Sequence, residues 1–564
     1  MSSFLRILRK DKAYIVLFLI IVTGFYFRTF NIYWDNGFSF HPDERAIAIK
    51  VADLSFPKSI AEFTSRESSL NPQFFAYGSF PLYLLKIVSS TVGKFYPELA
   101  VYPGVFVVGR VISAIFDTLT IFIVFLIGKK LFGETIGLLS SFIYSLSVLP
   151  IQLSHFFAVD TILTTFLCLT LLFILKIYEK ESLLKSLALG LFFGLAMATK
   201  VSALAIGPIV VLVYFIRLFE KEKKKIHYQK LIISFLVFIL TSTFIFIVTQ
   251  PYALIDWTRY LDQTTFQSKM SSDPFIFPYT LQFVGKIKYV YELQQIFFWG
   301  LGPVTTTFSL CGLLTLIIKT SRNRKKRLTL LLFLSYGLFY FTVFGSFAVG
   351  WIRYMLPIYP FLAITAGWFL ANLMQGTSIK RKFILSILII IISFYPISFI
   401  NIYTKPNTRV QASTWIQKYI PHGSVIANEH WDDSLPVFDG QNYSYVTLPL
   451  YEPDVPAKWS QIENSLDSAD YLIIASNRLY TPLQKLTDCK NLPTGRCYIE
   501  TARYYSDLFS EKLGFRKVAE FSSYPTFPLV NIELPDDQAA EDFTVFDHPK
   551  IFIFKKIDLH GLTY

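Results

Sequence analysis

The segment GVFVVGRVISAIFDTLTIFIVFLIGKK, residues 104–130, indicates the class of protein. Its part from 104 to 127 is almost wholly apolar and exceeds the roughly 20 residues that a membrane-spanning helix needs. Lys129 and Lys130 follow directly, and short cytoplasmic loops collect such residues. We interpret residues 104–127 as a transmembrane helix whose end faces the cytoplasm.

Further apolar runs repeat this pattern, so we predict a polytopic α-helical membrane protein with about eleven transmembrane helices. Hydrophobic residues are 53% of the 564-residue chain and charged residues only 16%. A soluble protein has about a quarter of its residues charged, which excludes a soluble multidomain enzyme. The other runs are residues 13–31, 134–152, 157–176, 184–200, 202–217, 230–249, 293–318, 328–347, 351–374 and 383–403.

Basic residues are distributed unevenly between the two sides of this predicted bundle. Alternate connections carry 24 Lys and Arg, whereas the short connections on the other side carry almost none except Lys200 and Arg353. Because cytoplasmic loops are rich in Lys and Arg, we predict the amino terminus inside and the carboxyl terminus outside. The expected location is the plasma membrane, crossed several times, with an extracytoplasmic C-terminal domain.

Charge and hydropathy divide the chain into two predicted domains. Residues 1–404 hold all the apolar runs, with 38 basic and 19 acidic residues and long external loops at about 31–103 and 250–292. Residues 405–564 hold 15 basic and 21 acidic residues and alternate short apolar strands with amphipathic helices, as in a soluble α/β domain. The predicted strands are SVIANEH, YLIIAS, KVAEFSSYP and KIFIFKK, and the predicted helices are KWSQIENSLDSA and YYSDLFSEKLGF.

Two features of this second domain leave alternatives open. Cys489 and Cys497 form a disulfide or remain free thiols. Trp431, Asp432 and Asp433 follow a predicted strand, where they serve either an ordinary turn or ligand contact at the edge of an open α/β sheet. Since the domain has no glycine-rich phosphate loop and no nucleophile elbow, we assign it acceptor binding or positioning.

An acidic pair lies in the first external loop, in the segment FHPDE at residues 40–44. Pro42 disfavours helix at His41 and favours a helix start at Asp43. Asp43 and Glu44 then fall in the first helical turn, where acidic side chains stabilise the helix by interacting with the positive end of its dipole. Alternatively, a carboxylate held at the membrane edge acts as a general base on an incoming hydroxyl.

Other ionisable residues also occur at the outer ends of the predicted spans. Arg110, Lys200 and Arg353 are cations that could clamp the phosphate of an anionic lipid. His155 and Asp160 lie at the third outer turn, where Asp160 also fits helix capping. Asp117, on the same helical face as Arg110, is either a functional group or a paired structural acid.

These residues resemble the GT-C fold of polyprenyl-phosphate-sugar-dependent glycosyltransferases. Within that fold the chain is similar to family 39, which includes protein O-mannosyltransferases, aminoarabinose transferases of lipid A and their prokaryotic relatives. The resemblance rests on Asp43-Glu44 after the first helix, on the stretch Arg110 to Ala114, and on RYMLPIYP beginning at Arg353. It covers residues 10 to 400 in layout.

The resemblance implies an inverting transfer of a sugar from a polyprenyl-phosphate carrier to a hydroxyl of a protein, lipid or glycan at the outer face. Asp43 takes the place of the general base and Glu44 that of its acidic neighbour, while Arg353, Lys200 and Arg110 assist with the donor phosphate. The pattern requires no cofactor. A divalent metal is possible if His41, Asp43, His155 and Asp160 converge.

Two other functions fit the composition. A transporter or flippase of lipid-linked sugars would share the hydrophobicity and some of the intramembrane charges, but predicts internal repeats and ionisable residues at the bilayer midplane. A membrane scaffold with an external sensor domain leaves FHPDE and the outer cations unexplained. Nucleic acid is excluded as a partner because the basic residues form short clusters between apolar runs and no recognition motif.

Overall fold

The structure, a computed structural model, describes residues 2–219, 225–322, 327–374, 379–438 and 442–557. It contains two compact units. The first consists of Met1–Ile32, His41–Lys269 and Lys288–Pro396, and the second of Tyr33–Phe40, Met270–Ile287 and Ile397–Tyr564. The second unit thus includes, besides the predicted tail domain, two segments from the predicted external loops.

Helices make up the first unit, and α13 and α18 run on into the second by a few residues. They are α1 (Ser2–Thr29), α2 (Pro42–Asp53), α3 (Ile60–Phe63), α4 (Ser79–Val92), α5 (Val105–Phe132), α6 (Glu134–Ser145), α7 (Val148–Ser154), α8 (Asp160–Glu179), α9 (Leu183–Thr199), α10 (Gly207–Leu218), α11 (Lys225–Thr249), α12 (Tyr252–Ile255), α13 (Trp257–Ser272), α14 (Val290–Gln295), α15 (Pro303–Arg322), α16 (Arg327–Gly345), α17 (Tyr359–Leu373) and α18 (Ile379–Ile400).

The predicted apolar runs all coincide with helices. Within the described ranges, nine helices are long and apolar enough to cross a membrane, and the bent pair α6 and α7 makes a tenth. The run predicted at 184–200 is α9, a shorter apolar helix. The prediction of a polytopic helical membrane protein is confirmed. Six of the basic residues used to predict its orientation lie outside the described residues, namely Lys221, Lys223, Lys224, Arg324, Lys325 and Lys326.

The predicted single span at 134–152 is instead bent by 57° between α6 and α7. Pro150 explains the break, because in one continuous helix its nitrogen would have to donate a hydrogen bond to Leu146 and it has no hydrogen to donate. Ser147, between the two helices, has extended backbone with φ −73° and ψ 127°.

The second unit contains a five-stranded sheet with helices, as predicted for the tail. Its elements are α19 (Thr408–Tyr419), β1 (Val425–Glu429), β2 (Ser444–Leu448), α20 (Pro456–Ser468), β3 (Tyr471–Ile474), α21 (Asn477–Tyr480), α22 (Ile499–Phe509), β4 (Phe515–Phe521), β5 (Thr526–Phe527), β6 (Ile532–Glu533), α23 (Glu541–Thr544) and β7 (Ile551–Lys556). The strand order is β2-β1-β3-β7-β4, in which β2, β1 and β3 are parallel to one another and β7 is antiparallel to both of its neighbours, β3 and β4.

Burial along the strands explains why the central ones form. All four residues of β3 and the first four of β7 are buried, which gives the continuous apolar runs YLII and IFIF. β2 was not predicted, because its residues are largely exposed and its sequence SYVTL has no continuous apolar run.

Candidate active site

Helix α2 carries the acidic pair and begins where the sequence predicts. Pro42 is its first residue, and His41 before it has extended backbone with φ −83° and ψ 115°. Successive residues of a helix point about 100° apart, so Asp43 and Glu44 face different surroundings.

Asp43 pairs with Arg353, which lies in the 3₁₀ segment Ile352–Ile358 just before α17. The carboxylate also accepts a hydrogen bond from the hydroxyl of Tyr77. Burial raises the pKa of Asp43, but the charge of Arg353 and these hydrogen bonds outweigh it and hold the pKa well below its usual range. Asp43 is therefore a carboxylate in this state.

A second ion pair joins Asp160, the first residue of α8, to Lys200 in the extended segment after α9, at 2.9 Å. The ammonium group of Lys200 lies 4.7 Å from the ring centre of Tyr354 and 5.9 Å from that of Tyr77. The guanidinium of Arg353 lies 6.0 Å from the ring centre of Tyr354. The two ion pairs therefore border the same two tyrosine rings and form one cluster.

Positive and negative side chains alternate in this cluster, and three of them are partly exposed to solvent. The side chains of Arg353 and Lys200 are 16% and 15% exposed, and that of Asp43 is 28% exposed. Oδ2 of Asp160 is buried and accepts no hydrogen bond from any described residue. The cluster thus offers two accessible cations, an accessible carboxylate and an unused acceptor atom.

Glu44 points away from this cluster, into a buried pair with Arg110 of α5. Arg110 donates to Oε1 and Oε2 of Glu44 through Nε and Nη2, at 2.9 and 2.7 Å, and both side chains are fully buried. The amide of Phe157 also donates to Oε1 at 2.9 Å, and Arg110 reaches the carbonyl of Ile32 at 2.9 Å. Because Arg110 is already engaged by Glu44, the structure does not place it among the accessible cations.

His41 lies beside the cluster, and His155 bonds to two backbone carbonyls. Burial, followed by the charges of Arg353 and Arg110, lowers the pKa of His41 to about 3, so the ring is neutral at neutral pH. Its ring is 4.8 Å from that of Phe156. The ring nitrogens of His155 lie 2.9 Å from the carbonyls of Ile151 and Phe30, which gives it a structural position between α7 and the segment after α1.

The described residues do not form a metal site. No three His, Cys, Asp or Glu side chains within the described ranges come together to hold an ion. The metal site that was considered possible does not form among the described residues, since its four candidate ligands do not come together: His41, Asp43, His155 and Asp160. Asp117 is likewise committed, because it pairs with Arg28 at 2.5 Å and accepts from Tyr144 at 2.5 Å. It is the paired structural acid that was one of its two predicted roles.

Two aromatic residues of the cluster, Tyr77 and Tyr354, were not predicted as site residues. Tyr77 is placed by Gly78, whose amide donates to the carbonyl of Thr199 at 2.9 Å, next to Lys200. A side chain at Gly78 would overlap the carbonyl oxygen of Ala198, so the close approach of the two segments requires glycine there. In the sequence, the dipeptide Tyr77-Gly78 was the feature that could have pointed to this position. It does not stand out, because the chain has 33 tyrosines.

A family model matches part of the chain. It is described as dolichyl-phosphate-mannose-protein mannosyltransferase and matches residues 100–247. The match includes Arg110, Asp160 and Lys200 but not Asp43 or Arg353. No match was found among curated proteins.

Two solved structures share the fold over almost the whole chain. The archaeal oligosaccharyltransferase AglB from Archaeoglobus fulgidus, in complex with an inhibitory peptide and a dolichol-phosphate, aligns with 98% of this chain and 89% of its own at 12% identity, with a TM-score of 0.53. The apo form of the Archaeoglobus fulgidus oligosaccharyltransferase aligns with 96% of this chain and 88% of its own at 12% identity, with a TM-score of 0.52. At this identity the likeness shows the fold.

The fold is that of the GT-C class, and residues 100–247 are similar to the dolichyl-phosphate-mannose-protein mannosyltransferase family. Within that class the chain is similar to family 39, as its sequence motifs predict. These findings favour the prediction of a glycosyltransferase over the two alternatives, a transporter and a scaffold.

Proposed function

We propose that this protein transfers a sugar from a polyprenyl-phosphate carrier to a hydroxyl acceptor, on the outer face of the plasma membrane and with inversion. The observation that carries the proposal is the cluster in which the pairs Asp43–Arg353 and Asp160–Lys200 border Tyr77 and Tyr354. Such a cluster provides both groups that the transfer needs, cations for a leaving phosphate and a carboxylate for an acceptor proton.

Arg353 and Lys200 bind the phosphate of the donor in this proposal. Both are partly accessible cations, and charge-assisted hydrogen bonds to phosphate are stronger than those between neutral groups. As the bond between the anomeric carbon and the phosphate oxygen breaks, the electron pair stays on the phosphate, and these cations stabilise the developing charge. The phosphate needs no proton in order to leave.

Asp43 accepts the proton of the acceptor hydroxyl as its oxygen attacks the anomeric carbon from the opposite face. A carboxylate whose pKa is held low by Arg353 is a weak base. Donor phosphate competes with Asp43 for Arg353, so binding of the donor loosens the pair and raises the pKa of Asp43 toward a more useful value. The pair Asp43–Arg353 is accordingly the resting state of the site.

Glu44 and Arg110 have a positioning role in this proposal. Their pair is buried and fixes the first turn of α2, which carries Asp43 as the residue adjacent to Glu44. This role differs from the one that the family resemblance implies for Arg110, which is contact with the donor phosphate.

The experiment compares sugar transfer by membranes that contain wild type, Asp43→Asn or the matched control Asp53→Asn. Asp53 is an exposed acid at the end of the same helix. The donors are radiolabelled polyprenyl-phosphate hexoses, and the acceptors are the endogenous molecules present in the membranes. Since a general base contributes about 10²- to 10⁴-fold in rate, Asp43→Asn should lose at least about a hundredfold and Asp53→Asn almost nothing.

Donor binding, measured in parallel, distinguishes a lost base from a lost site. Asp43→Asn should retain binding of the labelled donor, because its cations remain. Transfer by Asp43→Asn at the wild-type rate would overturn the assignment of the base.

A further inference from the structure

A cavity of about 410 Å³ lies in the second unit. Three of its lining residues, Trp431, Tyr451 and Glu452, follow the carboxyl ends of the parallel strands β1 and β2. Open α/β sheets bind ligands at this edge. The volume is within the range of small-molecule sites, about 300–1,000 Å³.

Two cross-links hold segments that line the cavity. The disulfide Cys489–Cys497 closes the loop that carries Gly495 and Arg496. The hydroxyl of Tyr498, next to this disulfide, donates to the carbonyl of Tyr451 at 2.9 Å. Because these segments are held before any ligand arrives, binding would cost little ordering of the protein.

Trp431 is held in an unusual conformation at the rim. Its φ of +87° lies in the left-handed region, which is a costly one for a bulky residue. Its ring lies 4.9 Å from that of His430 and 6.3 Å from that of Tyr279, which it meets edge-on. Strain of this kind persists where the surroundings impose it, and it frequently accompanies ligand binding.

Two oppositely charged side chains line the same cavity. Arg496 is anchored, since Nη2 donates to the carbonyl of Phe275 at 2.9 Å and the side chain also bonds to Tyr498. Glu452 also lines the cavity and is exposed. Because the two charges are opposite, the cavity favours an uncharged ligand that both donates and accepts hydrogen bonds.

We propose that this cavity is a saccharide-binding site, in which an uncharged sugar stacks on Trp431 and hydrogen-bonds through its hydroxyls to Glu452 and Arg496. A sugar ring has an apolar face of C–H groups for the aromatic ring, and its hydroxyls both donate to a carboxylate and accept from a guanidinium. An anionic ligand would face the carboxylate of Glu452. The site stands independently of the transfer reaction proposed above.

The test is isothermal titration calorimetry on the full-length protein in lipid nanodiscs, without donor, using mannotriose, maltotriose and chitotriose as probes. At least one of the three should bind. Glu452→Gln and Arg496→Gln should each weaken its binding by about tenfold or more, because each removes a charge-assisted hydrogen bond. Glu463→Gln, which changes an exposed acid on α20, is the matched control and should bind as wild type does.

Three results would overturn the proposal. The first is that none of the three trisaccharides binds. The second is that both cavity variants, with wild-type thermal stability, bind the sugar as tightly as wild type. The third is that inorganic phosphate binds in place of sugar and loses its affinity in Arg496→Gln, which would indicate an anion site. Since no transfer is measured, failure here is separate from failure of the catalytic proposal.

Discussion

Glu44 and Arg110 are 66 positions apart in the chain, yet their side chains form a two-pronged ion pair from which solvent is excluded. Arg110 also reaches the carbonyl of Ile32 at 2.9 Å. One guanidinium thus ties together α5, the start of α2 and the segment after α1. The position of Asp43, the residue before Glu44, depends on this tie.

Loss of Arg110 should destabilise the protein strongly. Arg110→Met leaves the Glu44 carboxylate buried without its cation, which costs about 3–5 kcal/mol. Thermal unfolding in detergent measures the loss. Lys94→Met, a change of an exposed cation, should have little effect. The double variant Glu44→Gln/Arg110→Met should recover part of the stability, and strict additivity of the two single changes would contradict the pairing.

Removal of Arg353 should change the pH dependence of transfer. Its charge lowers the pKa of Asp43 against the opposing effect of burial, so that pKa should rise in Arg353→Gln. The base must be ionised, and activity is lost as the pH falls through its pKa. The acid limb of the kcat/KM profile should therefore move to higher pH. An acid limb that stays in place would contradict Asp43 as the titrating base.

Tyr77 should matter through its hydroxyl alone. Tyr77→Phe keeps the ring beside Lys200 but removes the hydrogen bond to Asp43. Loss of this bond raises the pKa of Asp43 but leaves its carboxylate free to turn away from the acceptor, and such misplacement should lower kcat by about ten- to a hundredfold. Tyr96→Phe, on an exposed tyrosine, is the matched control. Equal transfer by the two variants would exclude a role for the hydroxyl.

The second unit should lose stability at alkaline pH. His548 lies between Asp547 at 2.5 Å and Asp536 at 2.9 Å. Burial lowers the pKa of His548, but the charges of these two acids outweigh it and raise the pKa to about 10. A folded pKa above the unfolded value of about 6.5 means stabilisation that is full below 6.5 and lost as the pH rises toward 10.

Unfolding of the full chain between pH 6 and pH 11 tests this expectation, because in Asp536→Asn the loss should be smaller and should be complete at a lower pH. In that variant one of the two charges that hold the proton on His548 is gone. Identical profiles for wild type and Asp536→Asn would show that His548 is not the group responsible. Asp537→Asn, at a more exposed neighbouring acid, is the control.

The sequence predicted the helices better than their breaks. Apolar runs such as 104–127 identify spans directly, because a membrane demands length and hydrophobicity over consecutive residues. The bend between α6 and α7 depends on Pro150, whose effect on a membrane helix varies with its surroundings. Strand β2 was missed because it is largely exposed and has no continuous apolar run.

The sequence indicated which residues belong to the candidate site but not how they pair. Asp43, Asp160, Lys200 and Arg353 were singled out because charges at the outer ends of spans are unusual, and the structure brings these four into one cluster. Nothing local shows that Arg110 pairs with Glu44 and not with a ligand, since that depends on packing across 66 positions. Tyr77 and Tyr354 could not be singled out by sequence, because the chain has 33 tyrosines.

The second unit is assembled from three separate stretches of the chain, Tyr33–Phe40, Met270–Ile287 and Ile397–Tyr564. Domains that are gained or exchanged as modules normally have a single entry and a single exit. A gene fragment starting at residue 405 would encode this unit without two of its three stretches. The unit is therefore poorly suited to transfer between genes by one recombination event, and its ancestry is expected to follow that of the membrane helices.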